Sequence, residues 1–453
     1  MNFALNRGRE LYSLRYLLII EYLLLAIFAL LGILPFLIFL SFILVILLIY
    51  ITFTKPIIGT HLLLFSILVG SLGVAKVSGK TPSVFLVDIV FVYILCLLIV
   101  KFVLRLKKEL KIPVIILLWL SFLVWGLLSL FTAEQVLRTL SIWKNYFAGF
   151  IAFSFTYYAI KNKIHAESIF VGLIVWGLLL SLIEIKIVFD LGGLSNGIIG
   201  LFLRKNLLAT SWGKSNYLAT FFVLIIPVSI GYLLYIKSFK VKIFILLALL
   251  FMSSAIILTL SRGGLLALFV SLFVLFSRII KKRTLIPILI ASLVIVLVAL
   301  INPLTYVIID RIATLSSSAS VFTRINFYKD VWITFLNNPI VGVGFGNLGL
   351  HSQFELTLAS AHNIVLGMLG ETGIIGAILF LSIIGRVLWN SFTYFKEEND
   401  ESLKILRWAC FSSLVGILIH SLMEPNFESM QFSVMAWSFI ATTLRLDALK
   451  LSN

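Results

Sequence analysis

Long apolar runs, most of them bounded by charged residues, proline or glycine, follow one another along almost the whole chain. Because about 20 apolar residues in a helix cross the roughly 30 Å hydrocarbon layer of a membrane, each run predicts one span. About fourteen spans are predicted in this way, near residues 17–33, 36–54, 57–77, 85–104, 113–131, 146–160, 169–188, 217–236, 243–260, 264–279, 285–302, 363–390, 408–423 and 429–445. The nearly continuous run over 14–54 also fits a single hairpin or a re-entrant element. We therefore predict an all-α polytopic membrane protein with about 12–14 transmembrane helices, forming one domain over residues 1–453.

The composition agrees with this fold class, since 61% of the 453 residues are hydrophobic and 12% are charged. A soluble fold cannot bury so much apolar surface. The formal net charge of +17 does not indicate nucleic-acid binding, because the cations follow the predicted topology. With the N-terminus in the cytoplasm, the cytoplasmic side holds about twice as many Lys and Arg residues as the external side, as the positive-inside rule requires. Both termini are therefore predicted to be cytoplasmic, in a multi-pass protein of the cytoplasmic (inner) membrane.

Three of the predicted external loops are long: 132–145, 189–216 and 303–362. The last has about sixty residues, and loops of that length are usually functional or disordered. Its second half has the pattern of an amphipathic helix, with apolar residues three or four positions apart, then a helix stop and a glycine series. These residues are Ile325, Tyr328, Trp332 and Phe335, then Asn338-Pro339, then Gly342, Gly344, Gly346 and Gly349. We predict an external (periplasmic) loop whose helix lies over the membrane and which carries part of the active site.

Two arginines on the predicted external side are candidate anion contacts. Arg262 stands in the polar break Ser261-Arg262-Gly263-Gly264, on the side that the positive-inside rule depletes of cations. An interfacial anchor is the structural alternative for this residue. Arg324 opens the predicted amphipathic helix, where the helix dipole disfavours a cation, so that either a bound anion or the nearby Asp330 explains its position. A further basic cluster, which is also typical of a solvated loop, comprises Arg204, Lys205 and Lys214.

His362 is the candidate general base. It ends the long external loop in Ala361-His362-Asn363 and begins a helix, whose N-terminal dipole keeps an imidazole ring neutral, as a base requires. A structural histidine that pins the loop to the helix is the alternative. His420 and Glu424 are predicted on the same side of the membrane, and either is a candidate to orient His362.

The polar and reactive residues inside the apolar runs are expected to be structural. Glu21, Asp88 and Glu184 interrupt separate spans and are expected to form hydrogen bonds between helices, because an ionised carboxylate at mid-depth costs about 2.5–3.5 kcal/mol. Cys96 and Cys410 lie in separate spans, so neither a disulfide nor a metal site is expected. Metal-binding and nucleotide-binding motifs do not occur in the sequence, and no cofactor is expected.

Four stretches together resemble the O-antigen ligase and polymerase superfamily of membrane glycosyltransferases. They occur within residues 204–375, in the order and spacing of the family. They are Ser211-Trp212-Gly213-Lys214-Ser215-Asn216-Tyr217-Leu218-Ala219; Ser261-Arg262-Gly263-Gly264; Arg324 with Tyr328, Trp332 and the segment from Asn338-Pro339 to Gly346; and Ala361-His362-Asn363-Ile364-Val365-Leu366 followed by Gly370-Glu371-Thr372-Gly373. Lys214-Ser215 stands where Asn-Pro is common in the family, which leaves open which basic residue of 204–214 contacts the donor.

The resemblance implies a metal-independent, inverting transfer of a glycan from undecaprenyl pyrophosphate to an acceptor hydroxyl at the external membrane face. It implies that His362 accepts the proton of the hydroxyl and that cations bind the pyrophosphate. The implied cations are Arg262, Arg324 and Arg204 or Lys214, and the implied supporting residues are Asn216, Asn363, Tyr328, His420 and Glu424. The implied partners are a lipid-linked oligosaccharide or polysaccharide, a glycolipid or glycan acceptor, and membrane lipids.

Two alternatives to a ligase remain open. An O-antigen or exopolysaccharide polymerase of the same superfamily uses another lipid-linked repeat as acceptor. One dominant external loop, without the paired arginine-rich loops expected of polymerases, favours the ligase. A transporter for a small anion such as bicarbonate is an alternative from another class, although many carriers have an inverted repeat and none is detected between the halves of this chain.

Overall fold

The computed structural model describes residues 46–69, 86–105, 113–190, 192, 215–279, 321–351 and 362–446. Every regular element in these ranges is helical, which confirms the predicted all-α class. The α-helices are α1 (Pro56–Val69), α2 (Leu86–Arg105), α3 (Val114–Leu128), α4 (Val136–Ala159), α5 (Lys163–Asp190), α6 (Ser215–Tyr235), α7 (Phe239–Leu258), α8 (Arg262–Ile279), α9 (Val321–Asn337), α10 (Ile364–Lys396), α11 (Glu401–Ser421) and α12 (Met430–Leu444). Short 3-10 helices cover Ser129–Phe131, Leu348–His351 and Asn426–Glu428.

Seven helices in the described part of the chain are long and apolar enough to cross a membrane: α3 with its 3-10 extension, α5, α6, α7, α8, α10 and α11. Shorter apolar stretches occupy α1, α2 and α12. The chain is therefore a multi-pass membrane protein, as predicted. The predicted spans 17–33 and 285–302, the first half of 36–54 and the end of 57–77 lie outside the described residues. The total of about 12–14 spans stays a prediction.

The start of α4 corrects the sequence analysis. Hydropathy predicts an external loop over 132–145 and a span that begins at residue 146, but the helix begins at Val136. Arg138, Lys144 and Asn145 interrupt the apolar pattern in its first turns. A polar residue is tolerated there when it has a partner, and the Asn145 side-chain amide donates to the backbone oxygen of Glu428 over 2.7 Å. Hydropathy alone therefore places the helix start too late.

Helices α6 and α12 lie at the centre of the bundle. Phe221, Phe222 and Val223 follow one another in α6 and are all buried, which is the pattern of a helix covered on every side. Residues of α12 are buried over its whole length. α6 packs mainly against α11, and α12 packs mainly against α4. Helices α7 and α8 leave apolar side chains such as Leu250 and Leu266 exposed, as expected of helices that face lipid.

A bend in α10 organises the segment before it. Gly373 takes φ 67° and ψ −172° in the middle of α10 and separates a short first part from a longer second part. α9 runs parallel to the first part, because Val331 packs against Gly370 and, further along both segments, the Ile374 amide donates to the Pro339 oxygen over 2.8 Å. α9 ends at Asn337, which confirms that Asn338-Pro339 stops the helix.

The packed face of α9 differs from the predicted one. The sequence pattern indicates a single apolar face through Tyr328, Trp332 and Phe335, but the buried residues are Phe327 and Val331. They form a cluster with Val343 and Leu348, against which Leu366 of α10 packs. Trp332 is instead 48% exposed. α9 thus has a second apolar face, which spacing alone does not reveal.

The chain divides into two compact units, residues 1–59 and 60–453. The prediction of a single transmembrane domain over 1–453 stays a prediction. Of the acids predicted inside the membrane, Glu184 is fully buried in α5. Neither of its carboxylate oxygens forms a hydrogen bond with a described residue, so the expected bond between helices is not found there. Glu21 and the side chain of Asp88 lie outside the described residues.

Candidate functional site

Polar segments from several helices meet at one end of the bundle. They are the starts of α6, α8 and α10 and the turn from α11 to α12, residues 422–429, which we call the Glu424 turn. Glu424, Pro425, Asn426 and Phe427 of this turn are buried. The contacts of the turn show which predicted site residues the fold brings together.

His362 and Glu424 form the central pair of this site. The imidazole Nδ1 of His362 lies 3.1 Å from Oε2 of Glu424. The other carboxylate oxygen, Oε1, accepts a hydrogen bond from the Asn216 side-chain amide over 2.6 Å. Because an ionised carboxylate only accepts hydrogen bonds, Nδ1 carries the ring hydrogen in this pair and Nε2 is the acceptor nitrogen. The His362 side chain is 25% exposed, so the ring is within reach of a molecule that enters from this end.

His362 lies directly before α10, which confirms its predicted place at a helix start. Asn363 caps the helix, and its side-chain oxygen accepts from the amides of Val365 and Leu366 over 3.0 and 3.1 Å. His362 itself takes a left-handed φ of 47°, a conformation that costs a non-glycine residue about 1–3 kcal/mol. The Asn363 cap fixes the strained backbone of His362, and the Glu424 contact fixes its ring.

His420, the other predicted candidate to orient His362, belongs to a separate buried network. Its Nδ1 lies 2.6 Å from the Thr220 hydroxyl and 3.2 Å from the Asn426 side-chain amide. The Thr220 hydroxyl also lies 2.8 Å from the Asn426 side-chain oxygen. This network ties the Glu424 turn to α6. Among the described contacts, it is therefore Glu424 and not His420 that bonds to His362.

The turn that carries Arg262 lies against the same site. Ser261 begins α8 as its cap, because its hydroxyl accepts from the Gly264 amide over 3.2 Å. The backbone of Gly263 is so close to the Glu424 turn that an added Cβ would lie 3.0 Å from Met423 Sδ and 3.3 Å from the His420 ring. Arg262 is exposed and makes no ion pair within the described part of the chain. Arg262 and His362 therefore approach one turn from two different helices.

The backbone of Arg324 lies in the first turn of α9, and its side chain is outside the described residues. Because α9 is parallel to the first part of α10, with Leu366 packed on the cluster of Phe327 and Val331 against Gly370, the start of α9 lies at the level of the start of α10. This placement agrees with the predicted grouping of Arg324 and His362 at one end of the bundle.

The glycine series forms a docking segment that the sequence analysis missed. Gly342, Gly344 and Gly346 all have positive φ angles, between 74° and 86°. Their segment pairs with α10: the amides of Val343 and Gly344 donate to the backbone oxygens of Gly370 and Glu371 over 3.0 and 2.9 Å. The Gly346 amide donates to Oε1 of Glu371, also over 2.9 Å. The sequence shows two glycine-rich stretches, 342–349 and 370–373, but neither stretch indicates that it pairs with the other.

A buried acidic group lies beside this segment and was also missed. Glu371 is 1% exposed, and its second oxygen bonds to no described residue. Burial and the neighbouring carboxylates of Glu371 and Glu424 raise the pKa of Glu428 well above its usual range, although the guanidinium of Arg138 acts in the opposite direction. Burial therefore favours the neutral form of the Glu428 carboxyl.

The other predicted site residues are not all described. Tyr328 is partly exposed on α9. Arg204, Lys205 and Lys214 lie outside the described residues, so their predicted contact with the donor remains a prediction. His351, which is also near this end, lies 3.5 Å from Glu134 through its Nε2.

Comparison with known proteins agrees with three of the four motif stretches, those from Ser261 onwards. The O-antigen ligase family matches residues 247–381, which include α8, α9 and the first part of α10. A protein of Bacillus subtilis (strain 168), named "Teichuronic acid biosynthesis protein TuaE", is 22% identical over 126 residues, which are 27% of this chain and 25% of that protein. The chain thus spans about a quarter of the length of the relative that it matches. The resemblance of this chain to the O-antigen ligase and polymerase superfamily is confirmed.

Proposed function

We propose that this chain transfers a glycan from undecaprenyl pyrophosphate to an acceptor hydroxyl at the external face of the cytoplasmic membrane. The single observation that carries the proposal is the contact between His362 and Glu424 beside the Arg262 turn. It combines an oriented base with an exposed cation at the start of a helix. The acceptor hydroxyl needs the base to remove its proton, and the donor pyrophosphate needs the cation and the helix start to bind its negative charge.

The proposed step balances without a further reactant. Nε2 of His362 takes the proton of the acceptor hydroxyl while its oxygen attacks the anomeric carbon of the donor sugar. The bond from that carbon to the pyrophosphate oxygen breaks on the opposite side, so the configuration inverts. Undecaprenyl pyrophosphate leaves with the electron pair, and His362 later gives its proton to water. Glu424 is a positioning residue in this scheme, since it fixes the Nδ1 hydrogen and stabilises the imidazolium that forms.

The cations act on the leaving group. A pyrophosphate departs as an anion and needs positive charge more than it needs a proton. Arg262 offers an exposed guanidinium at the start of α8, where the helix dipole also favours an anion. Arg324, at the start of α9, is proposed as the second contact. Guanidinium groups bind phosphates in paired hydrogen bonds, which ammonium groups cannot reproduce.

The comparisons support the general class. The matched family is described as O-antigen ligase, and the Bacillus relative is named for teichuronic acid biosynthesis. We therefore propose that the product is a surface polysaccharide or a glycan-bearing lipid. The acceptor, and with it the choice between ligase and polymerase, is decided by experiment.

The test uses the purified full-length chain in nanodiscs with an undecaprenyl-pyrophosphate-linked glycan. Transfer to an added glycolipid identifies a ligase, and elongation of the lipid-linked glycan itself identifies a polymerase. Arg262→Ala should reduce transfer by about 10- to 150-fold, as expected for loss of a charge-assisted contact of about 1.5–3 kcal/mol, and Arg262→Lys should restore only part of it. Arg278→Ala, at the other end of α8 beside Phe395 and Trp408, is the matched control. No transfer to either acceptor, together with uptake of labelled bicarbonate by liposomes that contain the protein, would contradict the proposal.

A further inference from the structure

The outward face of α9 is apolar and uncovered. Phe327 and Val331 are 1% and 2% exposed on the packed side, but Trp332 and Leu336 on the other side are 48% and 58% exposed. Ile340, just beyond the helix, is also 58% exposed. An exposed apolar patch of this kind marks a binding surface. We call these three residues the outward face of α9.

This face is continuous with the lipid-facing stripe of α10. The hydrogen bond from the Ile374 amide to the Pro339 oxygen, 2.8 Å long, brings Ile340 next to the start of the second part of α10. From there the exposed side chains descend along the helix: Ile374, Ile375, Ile378 and Leu381 are 38% to 56% exposed. An apolar surface therefore runs without a break from the membrane span onto α9.

The charges of α10 locate the membrane edge near this junction. The uncharged stretch from Thr372 to Gly385 lies between Glu371 and Arg386, and its fourteen residues are about 21 Å long in a helix. A crossing of about 20 residues that encloses this stretch places Ile374 inside the hydrocarbon layer and close to one edge of it. Ile340, which lies beside Ile374, is then at the same depth.

The residue types on this side of α9 fit a membrane surface. Lys329 is exposed and precedes Trp332 by three positions and Leu336 by seven, so all three lie on one side of the helix. Tryptophan is enriched at the level of lipid headgroups. Lysine there extends its charge towards lipid phosphates while its stem stays on apolar surface. The charge of Lys329 is complementary to an anionic headgroup.

We propose that the outward face of α9, together with Lys329, inserts into the boundary between headgroups and acyl chains of the bilayer, on the side of His362. The partner is the lipid surface itself, with an anionic phospholipid beside Lys329. Insertion fixes the height of α9 above the hydrocarbon layer. Because α9 carries Arg324 at its start, the same contact would set the distance of that residue from a lipid headgroup. The proposal does not depend on the reaction proposed above.

The test measures the depth of a spin label on α9. The full-length chain with Cys96→Ala and Leu336→Cys is labelled and placed in nanodiscs of phosphatidylethanolamine and phosphatidylglycerol; Cys410 is buried and does not interfere. Glu134→Cys in the same background is the matched control, since Glu134 is polar, exposed and at the same end of the bundle. Access to oxygen, which concentrates in lipid, is compared with access to a water-soluble nickel chelate.

The ratio of oxygen accessibility to nickel-chelate accessibility should be several-fold higher for the label at position 336 than for the label at position 134. Trp332→Cys should give the same pattern and serves as the second variant. Equal nickel access at 336 and 134 would show that the outward face of α9 is in water. Protection of position 336 from both reagents would show that protein covers it. Either result would overturn the proposal.

Discussion

Replacement of Glu424 tests the orientation of the base most sharply. In the structure one carboxylate accepts from two donors, His362 Nδ1 over 3.1 Å and the Asn216 amide over 2.6 Å. In Glu424→Gln the side chain keeps its shape but loses its charge. The Asn216 side-chain oxygen bonds to no described residue, so this amide can turn and keep a hydrogen bond to the new glutamine. The glutamine oxygen can then still accept from His362, and the variant isolates the loss of charge.

The magnitude follows from the charge of the pair. A hydrogen bond to a charged group contributes about 1.5–3 kcal/mol, against about 0.5–1.5 kcal/mol for a neutral one. The difference of about 1–1.5 kcal/mol predicts a loss of roughly 5- to 13-fold in transfer rate for Glu424→Gln. Glu424→Ala removes both contacts and should cost about 10- to 150-fold. The transfer rate should therefore decrease from the wild type to Glu424→Gln and decrease further in Glu424→Ala.

The assay is single-turnover transfer by the chain in nanodiscs, with donor in excess of its Kd. Glu428→Gln is the control, because it replaces a carboxyl of the same turn whose neutral form is favoured by burial. Binding of the lipid-linked donor should change little in all three variants, since the proposed role of Glu424 is to orient His362. Wild-type rates in both Glu424 variants would refute the role of this pair in catalysis.

Three further predictions concern the surroundings of the site. Arg324→Ala should weaken donor binding by about 10- to 150-fold in a direct binding assay; unchanged affinity would remove Arg324 from the donor site. Gly342→Ala should lower the free energy of unfolding by about 2–4 kcal/mol, because φ is 76° and a Cβ would lie 2.5 Å from the Glu371 backbone oxygen. The control is Gly385→Ala, which should leave the Tm unchanged or slightly raised, because no atom lies within 4 Å of a Cβ there. Equal Tm values for the two variants would contradict the close approach at Gly342. The raised pKa of Glu428 means that the folded state binds this proton more tightly than the unfolded state. Its contribution to stability is complete below the unfolded pKa of about 4.3 and is lost as pH rises through the folded pKa. Glu428→Gln should therefore flatten the fall in Tm as pH rises above about 4.3, and an unchanged fall would contradict the raised pKa.

The sequence predicts those parts of the site that depend on neighbouring residues. His362 was expected to begin a helix, and Asn363 caps that helix through its own side chain. Arg262 is expected in a polar break between two spans, and Ser261 of that break caps α8. Asn338-Pro339 ends α9 because proline cannot continue the helix. Each of these features depends on a few adjacent residues, so local chemistry is sufficient to place them.

The parts that the sequence does not predict depend on contacts between distant segments. The sequence leaves open whether Glu424 or His420 orients His362, because both residues are predicted on the same side of the membrane. The fold decides it by placing His420 against Thr220 and Asn426. The docking of Gly346 onto Glu371 likewise joins the glycine segment to α10 beside the bend at Gly373, and no periodic pattern encodes such a pairing.

Errors at α4 and α9 have a common physical cause. Hydropathy treats Arg138 and Asn145 as loop residues, although hydrogen bonds and nearby charges accommodate them inside α4. Apolar spacing in α9 finds the face that carries Trp332 but not the packed face at Phe327 and Val331. In a membrane protein both lipid and protein cover apolar residues, so an apolar face does not by itself indicate which of the two it meets.

The most direct test of the central claim compares transfer and donor binding in His362→Ala. If His362 takes the acceptor proton, the variant should lose about 10²- to 10⁴-fold in single-turnover transfer, while the Kd for the lipid-linked donor and the Tm stay near the wild-type values. Transfer by the wild-type protein should also fall in acid, because a protonated ring cannot accept a proton. Transfer by His362→Ala at the wild-type rate, with the same dependence on pH, would contradict the account.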